Sequence, residues 1–120
     1  MSLSHVHRWM SDVLLFYTLL AGLWGLLNFI GKREINLGYW IALAAAQMLV
    51  MSQGSLGSLL WLQDKRPAQG MHVIYGALAA LGLPLVYAAT RGREGHRESL
   101  AYGIALLLVA LLTWGAAATA

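Results

Sequence analysis

The sequence predicts an all-α integral membrane protein, an up-down-up-down four-helix bundle forming a single domain over residues 1–120. Three observations lead there. Hydrophobic residues make up 59% of the chain and charged residues 11%, and the mean hydropathy is +0.64, beyond the make-up of an ordinary soluble domain. The charged residues gather in short clusters that leave four apolar windows, each close to the roughly 20 residues that one bilayer crossing requires. The segments between the windows, "GKREIN", "QDKRP" and "RGREGHRE", are too short to hold a soluble module and suit antiparallel neighbours in a bundle.

The windows predict helices over about 6–30, 37–62, 68–89 and 99–118. The first is too long in its apolar part for a secretory signal, no small-x-small cleavage site follows it, and "GKRE" closes it, so it reads as a retained helix. The second carries Gln47 and Gln53, amides that need hydrogen-bond partners in apolar surroundings and can tie helices together. The third opens at Pro67, placed where a first-turn proline is tolerated after a tight "DKRP" turn. Pro84 lies inside that helix, where it frees the carbonyl of Ala80 and predicts a kink. The fourth follows "RGREGHRE" and stays apolar to the end of its window.

Trp9, Trp61, Trp114, Tyr39, Trp40, Tyr87 and Tyr102 fall near the ends of these windows, as an aromatic belt would place them. Thirteen glycines, with many alanines and serines, suit the close helix approach that association in lipid depends on. The same small residues leave room for a flat ligand.

Charge and cysteine content narrow the function. A sequence pI near 9.6 raises nucleic acid as a partner, but the basic residues lie at both ends of the helices and form no stripe, so nucleic acid is set aside. The ends bearing the first and third connections hold Lys32, Arg33, Arg91, Arg93 and Arg97, against Arg8, Lys65 and Arg66 at the opposite ends. That bias predicts cytoplasmic first and third connections and both termini outside, in a prokaryotic cytoplasmic membrane. The chain contains no cysteine, which excludes disulfides, thiolate metal sites and iron–sulfur clusters.

Two histidines carry the candidate chemistry. An alternating bundle puts the starts of helices one and three on the same side, and each carries a histidine in its first turn or two, His7 and His72. At a rise of about 1.5 Å per residue, His72 lies ~7 Å past Pro67, and His7 reaches a similar depth if helix one begins near Leu3. Two imidazoles at equal depth suit a bis-histidine iron site. From His7 the shared face runs through Ser11, Leu14, Thr18, Gly22 and Gly25, and from His72 through Gly76, Ala79, Leu83 and Tyr87. Both faces are small just beyond the histidine, as a porphyrin requires. The competing reading is a pair of hydrogen-bonded interfacial histidines.

His5 points about 200° away from His7 around the helix, on a face with Trp9, Phe16, Leu19 and Leu23, and His96 reads as a solvated residue beside Arg97 and Glu98. Asp12, the acid well inside an apolar window, has Arg8 four residues earlier as a local ion-pair partner. A functional alternative for Asp12 is to orient an imidazole or accept a proton.

Short motifs give a resemblance. "HRW" opening helix one, "QGSLGSLLWL" in helix two and "RPAQGMHVIYG" opening helix three are together similar to the haem A synthase family, whose two homologous halves are each a four-helix bundle. Gln53, Leu56 and Gly57 stand where the family has "QxxLG", His7 with Arg8 stands where it has "HR", and His72 stands where it has its second haem-ligating histidine. The resemblance covers nearly the whole chain as one half-unit and implies an outward-facing haem. It departs from the family's catalytic half, which carries a glutamate three residues before the histidine, where Ser4 stands here, and the extracellular cysteine pair of many members is absent. The resemblance therefore implies a haem-carrying half rather than a self-sufficient enzyme.

The resulting expectation is a small membrane cytochrome holding haem b, and its iron, between His7 and His72, with Ser11, Gly22, Gln53, Gly57 and Gly76 around the cofactor. It would act in electron transfer with a quinol or an external electron carrier, or as a haem-carrying subunit. Gly54, Gly57 and Gly103 leave room for a homodimer or a place in a larger membrane complex. Two other readings stand beside it. One is a haem-free structural or assembly subunit of a respiratory or photosynthetic membrane complex. The other is a proton-coupled transporter component using Asp12, His7 and Arg8, against which the absence of a broken helix pair or inverted repeat counts.

Overall fold

The computed structural model describes residues 2–63 and 70–118, and everything between their ends that is regular is helical. Four helices follow in order: α1 (Leu3–Ile30), α2 (Leu37–Leu62), α3 (Met71–Thr90) and α4 (His96–Ala118). Each is long and apolar enough to cross a membrane. The expected beginning of α3 at 68, Pro67 and the "DKRP" turn, with Lys65 and Arg66, lie outside the described residues.

Local chemistry sets the helix ends. The Ser2 hydroxyl accepts from the His5 amide at 3.1 Å, so α1 starts at Leu3, three residues before the first apolar window, because a serine N-cap satisfies one of the free N–H groups of a first turn. Asn36 does the same for α2, its side-chain oxygen accepting from the Tyr39 amide at 2.8 Å. α3 closes on Arg91 and Gly92, both in the left-handed region with φ of 53° and 71°, and their amides return to the Ala88 and Tyr87 carbonyls, a left-handed termination in which glycine is favoured. α4 begins at His96, earlier than its apolar window, and the His96 ring stacks on Phe29 with centroids 5.8 Å apart. His96 is therefore packed against α1 and is not a free loop residue.

The first and third connections meet at one end of the molecule. The Ile35 amide donates to the Glu94 carbonyl at 2.7 Å, the Trp40 indole donates to the Glu94 carboxylate, and Arg93 pairs with Glu98 at 3.0 Å. No such pair joins Arg8 and Asp12: both are exposed, and Arg93–Glu98 is the salt bridge found among the described residues. An i,i+4 spacing permits an ion pair on a helix surface but does not compel one, because ordering two side chains offsets a weak attraction.

The helices are unequally packed. α1 lies most closely along α4, α3 also rests on α4, and the α2–α3 contact is the thinnest. The α1–α4 seam is built from glycine. A methyl group at Gly25 would sit 2.8 Å from both the Gly103 Cα and the Ser99 carbonyl oxygen, and one at Gly103 would sit 3.0 Å from the Gly22 carbonyl. Backbones approach so closely only where no Cβ intervenes, and such approach maximises dispersion contact. Gly103 is thus consumed inside the bundle and is not part of a self-association face.

Two buried clusters fill the interior, one around Tyr39, Leu43, Tyr102 and Leu106 and the other around Leu14, Val50, Ala79 and Val109. Tyr39 and Tyr102, expected in the aromatic belt, are 0% and 2% exposed. The Tyr39 hydroxyl donates to the Ala21 carbonyl at 3.0 Å and Tyr17, midway along α1, to the Ala42 carbonyl at 2.7 Å, so these tyrosines are used as cross-helix ties. Trp9, Trp114 and Tyr87 do remain on the outside. So do Phe16, Leu20, Leu27, Ile30 and Met48, an oily exterior on four long helices of the kind that hydrocarbon surroundings favour.

Pro84 frees the Ala80 carbonyl, and the structure supplies its partner: the Gln47 amide donates to it across the α2–α3 gap at 3.0 Å. A buried carbonyl left alone would cost about 1–3 kcal/mol, and Gln47 offsets that loss.

Candidate functional site, a bis-histidine cleft

The thin α2–α3 contact opens into a cleft of about 1010 Å³, at the upper end of the roughly 300–1,000 Å³ typical of small-molecule and cofactor sites. His7 from α1 and His72 from α3 both line it. Their ring centroids are 6.0 Å apart and their planes are inclined by 68°. α1 and α3 lie diagonally, and residues of α2 and α4 complete the cleft around them.

The helix geometry explains the meeting. The Ser2 cap starts α1 early enough to put His7 in its second turn, while His72 is the second residue of α3. The His72 Nδ1 lies against the Ala116 carbonyl near the end of α4. A carbonyl accepts only, so Nδ1 carries the proton and donates, which leaves the Nε2 lone pair free for a ligand and fixes the ring's orientation. Gln53 holds the other side, its amide donating to the His7 carbonyl oxygen at 3.0 Å. The His7 Nδ1 and the Gln53 Oε1 are both buried at the head of the cleft, an amide acceptor beside a ring nitrogen that can donate to it.

The expected site residues divide between two places. Ser11, Gln53, Gly57 and Gly76 line the cleft together with the two histidines. A methyl group at Gly76 or at neighbouring Gly54 would meet nothing within 4 Å, and one at Gly57 would stand 3.6 Å from the His7 ring, so the walls are open where a flat group needs room. Gly22 is elsewhere: its face is pressed on Leu107 and the Gly103 carbonyl in the α1–α4 seam. It shares the helical face of His7 but lies fifteen residues further on, about 22 Å along the axis, beyond the reach of the cleft. His5 is exposed and does not line the cleft.

The sequence reading missed the contribution of α4. Ala116 supplies the carbonyl that orients His72, while Leu112 and Thr113 line the cleft. The one signal was the small-residue run "GAAA" at 115–118, which permits close approach, and Tyr75 packs over Gly115 with ring atoms 3.2 Å from where a Cβ would stand. Arg8 lines the cleft mouth and is the cation there among the described residues.

No group of three or more His, Cys, Asp or Glu side chains gathers among the described residues to hold a bare metal ion. Two imidazoles form an incomplete set for such an ion, whereas a haem brings four nitrogens of its own. The 6.0 Å between the ring centroids leaves room for one atom between the two rings. The donor set, the spacing and the open glycine walls fit a haem. Comparison with protein-family models, with curated proteins and with solved structures returned no match to this chain.

Proposed function

We propose that the chain is an integral membrane b-type cytochrome with a haem between His7 and His72. The observation that carries this reading is the pair of imidazoles 6.0 Å apart at the head of an open, glycine-walled cleft. His72 and His7 would hold the group through their imidazole nitrogens. Ala116 holds His72 in one tautomer, Gln53 anchors α2 to α1 at the level of His7, and Arg8 at the mouth provides a positive charge for an acidic group of the cofactor. A haem held there would supply one-electron redox chemistry. The chain's own residues set its potential through the two imidazoles, the local polarity and the exclusion of water.

The four helices cross the membrane up-down-up-down. The meeting of the first and third connections at Ile35 and Glu94, and of the α1 and α3 beginnings at His7 and His72, supports that arrangement. The lysine and arginine bias puts both termini and the haem on the outer side of a prokaryotic cytoplasmic membrane. The protein then serves as an electron carrier or as a haem-carrying unit similar to one half of a haem A synthase, alone, as a homodimer or within a larger membrane complex.

The visible spectrum of detergent-purified protein from haem-replete cells, before and after dithionite, tests the reading. A Soret band with sharp α and β bands is expected in the wild type, together with its loss in both His7→Ala and His72→Ala and its retention in His5→Ala. A colourless but folded wild-type preparation sinks the cytochrome and leaves a haem-free structural subunit.

A further inference from the structure

Two buried atoms at the head of the cleft belong together. The ring Nδ1 of His7 and the amide Oε1 of Gln53 are both shut off from the surface, and no other group among the described residues takes up either of them. The two side chains are neighbours. Leaving a donor and an acceptor side by side and unjoined in the interior would cost the protein both.

The Gln53 amide has one orientation open to it. Its Nε2 donates to the His7 carbonyl oxygen at 3.0 Å, and a carbonyl only accepts, so the nitrogen end is fixed there and the oxygen end is left beside the ring. An amide oxygen cannot donate. The arrangement that satisfies both atoms therefore puts the imidazole proton on Nδ1 and gives it to Oε1.

That proton decides the rest of the ring. A neutral imidazole carries a single N–H, so a proton on Nδ1 leaves Nε2 with its lone pair. The Cε1–Nε2 edge of His7 faces Gly57 on the cleft wall, its atoms 3.6 and 4.0 Å from where a Cβ would stand. His72 is held in the same state from another helix, with its Nδ1 against the Ala116 carbonyl. A hydrogen bond between the two rings needs a proton on one Nε2, and with both Nδ1 protons held neither has one. The pair then offers two electron-pair donors to the cleft. α1 and α3 bring the histidines, while α2 and α4 set their protons, so the site is complete only when all four helices are packed.

We propose that Gln53 is a positioning residue for His7: its amide clasps the residue at two points, the backbone oxygen and Nδ1, and holds the ring as the Nδ1–H tautomer with Nε2 turned to the cleft. Both histidines are thus tied to uncharged oxygens, and neither gains the stronger donor character that a carboxylate partner confers. The proposal deepens the cytochrome reading and rests on it only for what the Nε2 atoms bind. The tautomer itself belongs to the chain without a cofactor.

Nitrogen NMR of the full chain with isotopically labelled histidine, freed of haem and held in nanodiscs, reads the tautomer directly. At a pH of about 8, above the usual imidazole range, the rings are neutral, and His7→Ala and His72→Ala assign their signals. Expected in the wild type are a protonated Nδ1 and an unprotonated Nε2 at both histidines. Gln53→Leu, which keeps the bulk and removes the acceptor, loses that pattern at His7 and keeps it at His72. Gln53→Glu, which returns an oxygen acceptor, restores it. A proton on Nε2 of wild-type His7, or a mixture of tautomers there, overturns the proposal even if Gln53→Leu fails to fold. So does an unchanged His7 in Gln53→Leu, and so does a change at His7 and His72 together, which would mark a loosened bundle instead of a lost clamp. A wild type that never takes up haem but shows the expected tautomers sinks the cytochrome and leaves the clamp standing, so the two failures are told apart.

Discussion

Gly25→Ala tests the claim that α1 and α4 are held by backbone contact. The added methyl would stand 2.8 Å from the Gly103 Cα and from the Ser99 carbonyl oxygen, and the Tyr39 hydroxyl would be closer still. Two of these three atoms are backbone and cannot rotate away, so α1 and α4 must separate or α1 must turn. Forcing a methyl into a packed interior costs about 1–3 kcal/mol. Displacing the Tyr39 hydroxyl breaks its bond to the Ala21 carbonyl and adds about 1 kcal/mol, for a total near 2–4 kcal/mol. Gly54→Ala and Gly76→Ala are the controls, since a methyl at either meets nothing within 4 Å, and replacing a helical glycine by alanine is neutral or favourable there. Unfolding of purified protein by titration of SDS into mixed micelles, followed by tryptophan fluorescence, gives the comparison. If Gly25→Ala matches Gly54→Ala to within about 0.5 kcal/mol, the glycine seam does not hold the helices and the packing argument fails.

Gln47→Leu strands the Ala80 carbonyl and is expected to cost about 1–3 kcal/mol in the same titration. The loss should shrink in a Pro84→Ala background, where residue 84 regains an N–H that can bond Ala80, and an undiminished loss would deny the coupling. Asp12→Asn should leave stability unchanged within about 0.5 kcal/mol, because Arg8 and Asp12 do not pair; a loss above 1 kcal/mol would show a bond that the structure lacks. Haem-loaded protein should unfold at higher SDS than protein freed of haem, because a ligand of the folded state stabilises it by mass action. Hydrogen exchange should place the difference at the first turns of α3, and a change confined to the α1–α4 seam would argue against ligation by His72.

The four helices were legible because charge clusters bound the apolar windows and hydropathy alone separates helix from connection in so oily a chain. Proximity of His7 and His72 followed from two ordinary facts, an alternating bundle and a common rise per residue. Less was legible where one residue type has two uses. A glycine can wall a cleft or seat a neighbouring helix, and Gly76 and Gly22 took opposite roles although both lie on the helical face of a histidine. Tyr39 and Tyr102 near helix ends resemble belt residues until the carbonyl or ring that each meets on another helix is known. The Ala116 carbonyl had no side-chain signature at all, because backbone acceptors become visible only when helices are placed against each other. For Asp12, spacing suggested a partner that the surface geometry did not supply.

The unequal packing of the bundle joins these observations. Along α1 and α4 glycines let backbone touch backbone, and this seam with the Asn28–Ser99 hydrogen bond at 3.4 Å makes one firm half. α2 and α3 meet sparingly, and Gln47 reaches across to a carbonyl that Pro84 has released. A proline therefore does two things at once: it removes an internal bond from α3 and provides the acceptor that ties α3 to α2 at a single level. Away from that tie the helices need not close, and the bis-histidine cleft occupies one such opening. A bundle selected for stability alone would fill such a gap with larger apolar side chains. Leaving the α2–α3 side open while the opposite seam is packed to backbone contact puts the cleft, and the two histidines that line it, on the loosely packed side of the bundle.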